Sequence, residues 1–316
     1  MSNPAVVKST RRPRFRRAAE PPAFRLTDDD IEIVRQLARH RFLRSTHIAA
    51  LVSRSLDRTN DRLHRLFHAG YIDRPRAQLD YYPDRGGTPM VYALADRGAQ
   101  LLVERAGSKF SNLERSRNNS KAGRPFIEHQ LAIIDFYVSV QIAAKRRNDI
   151  TVLHADELAA SFPDQSFSAS NPFTLQTRFH HHGTLLNVGL IPDLVFGLRF
   201  RDGSRRCFMV EIDRGTMPIT RTNVTQSSFE RKMLAYLSVH AARQHELHFG
   251  WKTFRVLALT TSDSRLQSMK EALQRLHVPY GPGPPLFFFA TRLDLSGVDL
   301  LQHNWQDGSG RNVCLV

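Results

Sequence analysis

The sequence predicts an α/β (α+β) protein organised as two domains. Three observations carry that expectation. After residue 27, three amphipathic helical stretches follow one another and lead into a pair of short β-prone pieces; beyond residue 125, long helices alternate with apolar strands. A basic, polar stretch separates the two patterns, as a linker does. The 316 residues, 41% of them apolar, are enough to bury a core in each half.

Residues 1–25 hold seven basic side chains (Lys8, Arg11, Arg12, Arg14, Arg16, Arg17, Arg25) and four prolines against one acid, Glu20. That composition predicts a disordered basic arm. Residues 26–105 form the first domain. Thr27 caps a helix whose first turn, Asp28-Asp29-Asp30, complements the helix dipole, and Ile31, Val34, Leu37 and Ala38 form its apolar face. A short second helix starts at Ser45 or Thr46. A third runs from Leu56 to Ala69, with Leu63, Leu66 and Phe67 inward and Arg58, Asn60, Arg62 and Arg65 outward; Gly70 closes it. Two β-like pieces, Leu79–Tyr82 and Val91–Leu94, flank Asp84-Arg85-Gly86-Gly87. Three helices followed by a hairpin with a basic tip match an N-terminal winged helix-turn-helix, whose third helix enters the major groove of DNA. On that reading Asn60, Arg62 and Arg65 are base-contact candidates, and Arg58 and Arg85 meet phosphates. The bland alternative is a solvated, arginine-rich helix face.

Residues 106–124 are the basic linker, with Asn118-Asn119-Ser120 and Gly123 favouring turns. From residue 125 to 316 the pattern reads as a long helix (Phe126–Ala144), a strand (Ile150–His154), an irregular polar loop (Phe162–Thr177) and a strand region (Leu185–Phe200). A strand to Ile212, a helix (Ser227–Glu246), a buried strand (Phe254–Thr260), a helix (Ser264–Leu276) and a strand (Leu286–Ala290) follow. This is an α/β sandwich without internal repeats.

The chemistry concentrates in two apolar, β-prone runs joined by Arg201-Asp202-Gly203-Ser204, whose Asp-Gly is a hairpin signal. Pairing them brings Asp193 to the same end of the sheet as Glu211 and Asp213, which, two apart, share a strand face. Carboxylates gathered beside an apolar sheet are expensive unless a cation or base neutralises them. Oxygen donors of this kind suit a hard divalent ion such as Mg²⁺.

Pro192-Asp193, the 18-residue step to Glu211 and the triplet Glu211-Ile212-Asp213, set in helix–hairpin–helix–strand context, resemble the core of the PD-(D/E)XK nuclease superfamily. With the winged-helix pattern before it, and with Val210-Glu211-Ile212-Asp213-Arg214-Gly215-Thr216 followed by Lys232 and Tyr236, the chain resembles the replication-relaxation family of plasmids and integrative elements. The likeness spans about residues 27–290. It implies a restriction-endonuclease-like mixed-sheet α/β sandwich, a metal site of Asp193, Glu211 and Glu128 holding Mg²⁺ (or Mn²⁺), and a catalytic set of Asp193, Glu211, Asp213 and Lys232. The superfamily's usual lysine, two positions after the glutamate, is here Asp213. Either Lys232 has migrated to the following helix to supply the ammonium, or Asp213 has abolished cleavage and the fold serves binding. The implied function is recognition of double-stranded DNA (an origin, for example) and its nicking or cleavage; the rival is an inactive DNA-binding regulator or accessory factor. A homodimer is the oligomer such families favour.

Composition bounds the rest. Forty-five Lys and Arg against 30 Asp and Glu give +15, a balance that suits a polyanion such as nucleic acid. No run approaches the roughly 18 apolar residues of a membrane span, and the Arg-rich start lacks the apolar stretch of a secretory signal. Two cysteines, Cys207 and Cys314, make no disulfide framework, so a reducing, cytoplasmic setting fits. No Walker-type glycine loop is present, which argues against a nucleotide cofactor. Tyr236 as a covalent nucleophile lacks support from motif spacing. His180-His181-His182 suggests a transition-metal site, but consecutive residues of a strand cannot all face one ion, so a polar loop or phosphate contact is the expectation.

Overall fold

The computed structural model describes residues 14–21, 23–81, 88–106, 119, 121–163, 171–276, 285–292 and 297–316. The chain divides into two compact units, Met1–Asp135 and Phe136–Val316, and its class is mixed α+β, as expected from the sequence.

In the first unit, α1 (Asp28–His40) opens with a capping box: Thr27 and Asp30 satisfy each other's backbone N–H groups. Strand β1 (Phe42–Arg44), α2 (Ser45–Leu51) and α3 (Leu56–His68) follow, then β2 (Ile72–Asp73), β3 (Val91–Leu94) and α4 (Asp96–Ala106). The strands form an antiparallel sheet in the order β1-β3-β2. The helix α5 (Arg124–Lys145) comes next, and its first half packs Ile127 and Leu131 against Phe42, Val91 and Ala93. The boundary between the two units falls within this helix, after Asp135.

The second unit contains β4 (Ile150–Leu153), α6 (Ala155–Ala159), β5 (Leu175–His181), β6 (Thr184–Leu190), β7 (Leu194–Phe200) and β8 (Arg205–Ile212). After these come α7 (Phe229–Ala241), α8 (Gln244–Phe249), β9 (Arg255–Thr260), α9 (Asp263–Arg275), β10 (Phe287–Thr291), β11 (Trp305–Asp307) and β12 (Asn312–Val313). Seven strands form one mixed sheet in the order β12-β11-β10-β9-β8-β7-β4, with β8, β9 and β10 parallel and the others antiparallel. Burial is almost complete along β8, β9 and β10, as it must be for parallel strands covered on both faces. On one face Met209, Val256 and Ala258 pack with Met233, Tyr236, Leu266 and Met269 of α7 and α9. On the other, Phe136 of α5 meets Phe196 and Trp305 at ring separations of 6.2 Å.

Several expectations change on the structure. Residues 14–21 and 23–25, expected to be part of a disordered arm, are held on the first unit. Arg17 Nε donates to the Phe67 carbonyl at 2.9 Å, the Ala18 N–H donates to His68 Nδ1 at 2.9 Å, and the Phe24 ring packs edge-on to Tyr71; residues 1–13 lie outside the described residues. Leu79–Tyr82 was expected to be extended, yet Arg76–Tyr81 is a 3₁₀ helix. The reason is Gln78, whose buried amide donates to the Val91 carbonyl and accepts from the Val91 N–H, both at 2.9 Å, so one side chain replaces a ladder rung. The single helix expected over Ser227–Glu246 is two, broken at Arg243, which adopts a left-handed conformation. The polar loop expected over Phe162–Thr177 ends in a strand, since β5 begins at Leu175. Helix α4 and the strands β11 and β12 had no counterpart in the reading of the sequence.

Candidate active site

The β7–β8 hairpin sets the carboxylates. Its turn has Gly203 at φ 81°, and Asp202 Oδ1 accepts from the Ser204 N–H at 2.9 Å, which fixes the loop as the Asp-Gly signal predicts. Leu194 pairs with Val210 in the antiparallel register. Asp193 directly precedes Leu194 and lies outside the ladder, near enough to Glu211 for the two carboxylates to act on each other. Asp193 is anchored there: its N–H donates to the Val210 carbonyl at 3.1 Å, and its Oδ2 accepts from the Ile212 N–H at 2.8 Å.

Glu211 is only 2% exposed. Both of its oxygens are engaged from α7: Lys232 Nζ makes an ion pair with Oε2, and the Tyr236 hydroxyl donates to Oε1 at 2.5 Å. Lys232 and Tyr236 are four residues apart and so lie on one side of the helix. Burial pushes the Glu211 carboxyl up to about 7, against the lowering effect of Lys232, while Asp193 adds to the rise. Burial acts to lower Lys232, but the negative charges of Glu211 and Asp193 outweigh it and its pKa is raised. Tyr236 is likewise raised, by burial first and then by Glu211, so it remains a phenol that donates.

Asp213 has a separate cation. Arg265, in the first turn of α9, grips it with two prongs: Nε pairs with Oδ2, and Nη2 donates to Oδ1 at 2.9 Å. Thr260 Oγ1 at the end of β9 donates to Oδ2 at 2.8 Å, and the Gly215 N–H donates to Oδ1 at 3.1 Å. Arg265 was not singled out from the sequence. The signal available was topological: a residue at the carboxyl end of β8 must lie beside the turn from the adjacent parallel strand into its helix, and Arg265 is three residues past that helix's N-cap, Ser262.

The donor set suits a hard divalent cation. Asp193 and Glu211 offer carboxylate oxygens with Lys232 beside them, the donor type that Mg²⁺ or Mn²⁺ takes. Glu128, in the first unit, pairs with Arg124 one turn earlier on α5 at 3.2 Å.

The histidine run is divided by the fold. His181 is the last residue of β5, and His182 with Gly183 makes the two-residue turn to β6 at φ 46° and 76°. The turn suspends strand alternation, and the His181 and His182 rings come to 4.2 Å between centroids. His181 Nε2 lies 3.5 Å from Glu230 Oε2.

On α3 the outward residues separate into two groups. Arg58 and Asn60 are exposed. Arg62, expected to contact bases, instead turns inward: its guanidinium is bidentate on fully buried Asp30 and also donates to the Arg25 carbonyl at 3.1 Å. The Asp30 carboxylate, already in the α1 capping box, would otherwise be an uncompensated buried charge, and this claims Arg62. Arg65 pairs with Asp61 at 3.1 Å on the helix surface. Arg85 lies outside the described residues.

Among the described residues no helix is long and apolar enough to cross a membrane. No curated protein and no solved structure matches the chain. The model of the replication-relaxation family matches residues 34–250, more than half of the chain, and the chain belongs to that family.

Proposed function

We propose that this protein acts in the replication or relaxation of a plasmid or other mobile element, binding duplex DNA through its first unit and nicking or cleaving it at Asp193 and Glu211. The observation that carries the reading is the Lys232–Glu211 pair beside Asp193. Two neighbouring carboxylates with one ammonium brought from a neighbouring helix are the elements a PD-(D/E)XK-type site needs, which supports Lys232 in the place of the usual lysine. The pairing of Asp213 with Arg265 supports the same reading, since it gives the acid a cation of its own. In the first unit, three helices and an antiparallel sheet in the order β1-β3-β2 support a winged-helix reading, with exposed Arg58 and Asn60 facing DNA.

Asp193 and Glu211 would hold Mg²⁺ or Mn²⁺. Such an ion, when bound, acidifies a water and offsets charge on the phosphate oxygens. Lys232 favours the ionised form of Glu211 and leaves a positive charge beside it. Tyr236 fixes the second Glu211 oxygen, so the carboxylate cannot rotate away from Asp193.

A supercoiled plasmid bearing the element's own origin, incubated with Mg²⁺ or Mn²⁺, tests the reading. Wild type should yield open circles, while Asp193→Asn and Glu211→Gln should lose at least about 100-fold in rate, the scale of a lost transition-state contact. A second reading, a DNA-binding accessory factor without cleavage, is favoured by the engagement of both Glu211 oxygens within the protein. No nicking of any DNA by wild type, with DNA binding retained, decides for it.

A further inference from the structure

Helix α7 presents a second set of side chains on another side. Lys232 and Tyr236 face Glu211, whereas Glu230 and Leu234 line a cavity of about 540 Å³ beside the β5–β6 turn. His181, His182 and the two arginines Arg221 and Arg275 form other parts of its wall. One ligand atom from each of His181, His182 and Glu230 can be chosen so that all lie within 4.8 Å of one another. His181 and Glu230 are 9% and 7% exposed, while His182, also in the cavity wall, is exposed.

We propose that His181, His182 and Glu230 bind a divalent first-row transition ion, Zn²⁺ foremost, at a site separate from the Asp193–Glu211 carboxylates. Two imidazoles and one carboxylate are nitrogen and oxygen donors of the kind Zn²⁺ takes, and three protein ligands leave a fourth position open to the cavity. Bonds of about 2.0–2.1 Å in a tetrahedral site put donor atoms roughly 3.3 Å apart. The His181 Nε2 to Glu230 Oε2 separation of 3.5 Å already has that spacing and is long for a hydrogen bond. Only the exposed His182 ring must swing inward to complete the set. The backbone favours this use: His182 adopts φ 46°, which ordinary side chains avoid, and the turn it forms carries two consecutive histidines to one side. A bound ion would fasten the two-stranded β5–β6 sheet to α7.

The test uses the full chain without a histidine tag, stripped with chelator. Titration with Zn²⁺ by calorimetry, and with Co²⁺ by visible absorption, should give one equivalent per chain and intense d–d bands of a four-coordinate ion. His182→Ala and Glu230→Gln should each weaken Zn²⁺ binding by at least about tenfold, the lower end of what disturbing a metal's surroundings costs. Asp193→Asn should bind Zn²⁺ as wild type does, which separates this site from the proposed nuclease centre. Because His182 is exposed, the metal-free melting temperature of His182→Ala should equal that of wild type, so lost binding cannot be lost folding. Absence of Zn²⁺ binding by wild type, or wild-type affinity in either variant, overturns the proposal.

Discussion

Arg265 and Asp213 form a partly buried, two-pronged ion pair at the carboxyl end of β8, at the position where the resemblance to PD-(D/E)XK nucleases leads one to expect lysine. The pair gives Asp213 a structural role: it ties the end of β8 to the first turn of α9. Removing one partner of such a pair leaves an uncompensated charge, which costs about 3–5 kcal/mol. Arg265→Met should therefore lower the urea midpoint of unfolding sharply. Asp213→Leu combined with Arg265→Met should recover most of that loss. A single Arg265→Met variant as stable as wild type would show that the pair does not compensate Asp213.

Arg62 and Arg58 are one turn apart on α3 but do different things. Arg62→Ala strips Asp30 of its guanidinium and should destabilise the first unit by about 3 kcal/mol. Arg58→Ala should leave thermal stability within about 0.5 kcal/mol, as exposed positions do. In a mobility-shift titration at several salt concentrations, Arg58→Ala should weaken DNA binding and reduce the salt slope by about one. The reverse pattern, stability lost with Arg58 and salt slope lost with Arg62, would invert the assignment.

Glu211 makes folding depend on pH. Its carboxyl is pushed from an ordinary value of 4.5 to about 7, chiefly by burial. The folded chain holds this proton more tightly than the unfolded chain does, so the contribution to stability is complete below pH 4.5 and is lost as pH rises through about 7. With EDTA present, wild type should lose stability relative to Glu211→Gln across that window. Denaturant midpoints measured at pH 4.5, 6 and 8 decide it, and parallel curves for the two proteins would mean that Glu211 titrates normally.

How far the sequence spoke depended on whether a signal was local. The β7–β8 hairpin was legible because Asp202-Gly203 and the flanking apolar runs are neighbours in the chain, and with it came the nearness of Asp193 to Glu211. Lys232 was within reach of reasoning too, being one helical turn from Tyr236 on the next amphipathic helix. Partnerships between distant positions were not legible. Arg265 is 52 residues from Asp213, and Arg62 is 32 from Asp30; an outward arginine and one gripping a buried acid look identical in periodicity. The Gln78 amide that replaces a strand rung left no pattern either, because one side chain has no period. The β5–β6 turn hid behind its composition, since His182-Gly183 does the work usually given to Asn-Gly.

The last two strands carry a consequence for how the chain can be shortened. Trp305–Asp307 lies against Phe287–Thr291, and beyond it the outermost strand is only two residues long. Cutting the chain before Asn304 would leave Phe287-Phe288-Phe289-Ala290-Thr291 as a bare rim, an apolar row with unpaired N–H and C=O groups able to recruit another molecule. The tail thus works as an edge guard, and truncations that remove it should precipitate even with every candidate site residue intact.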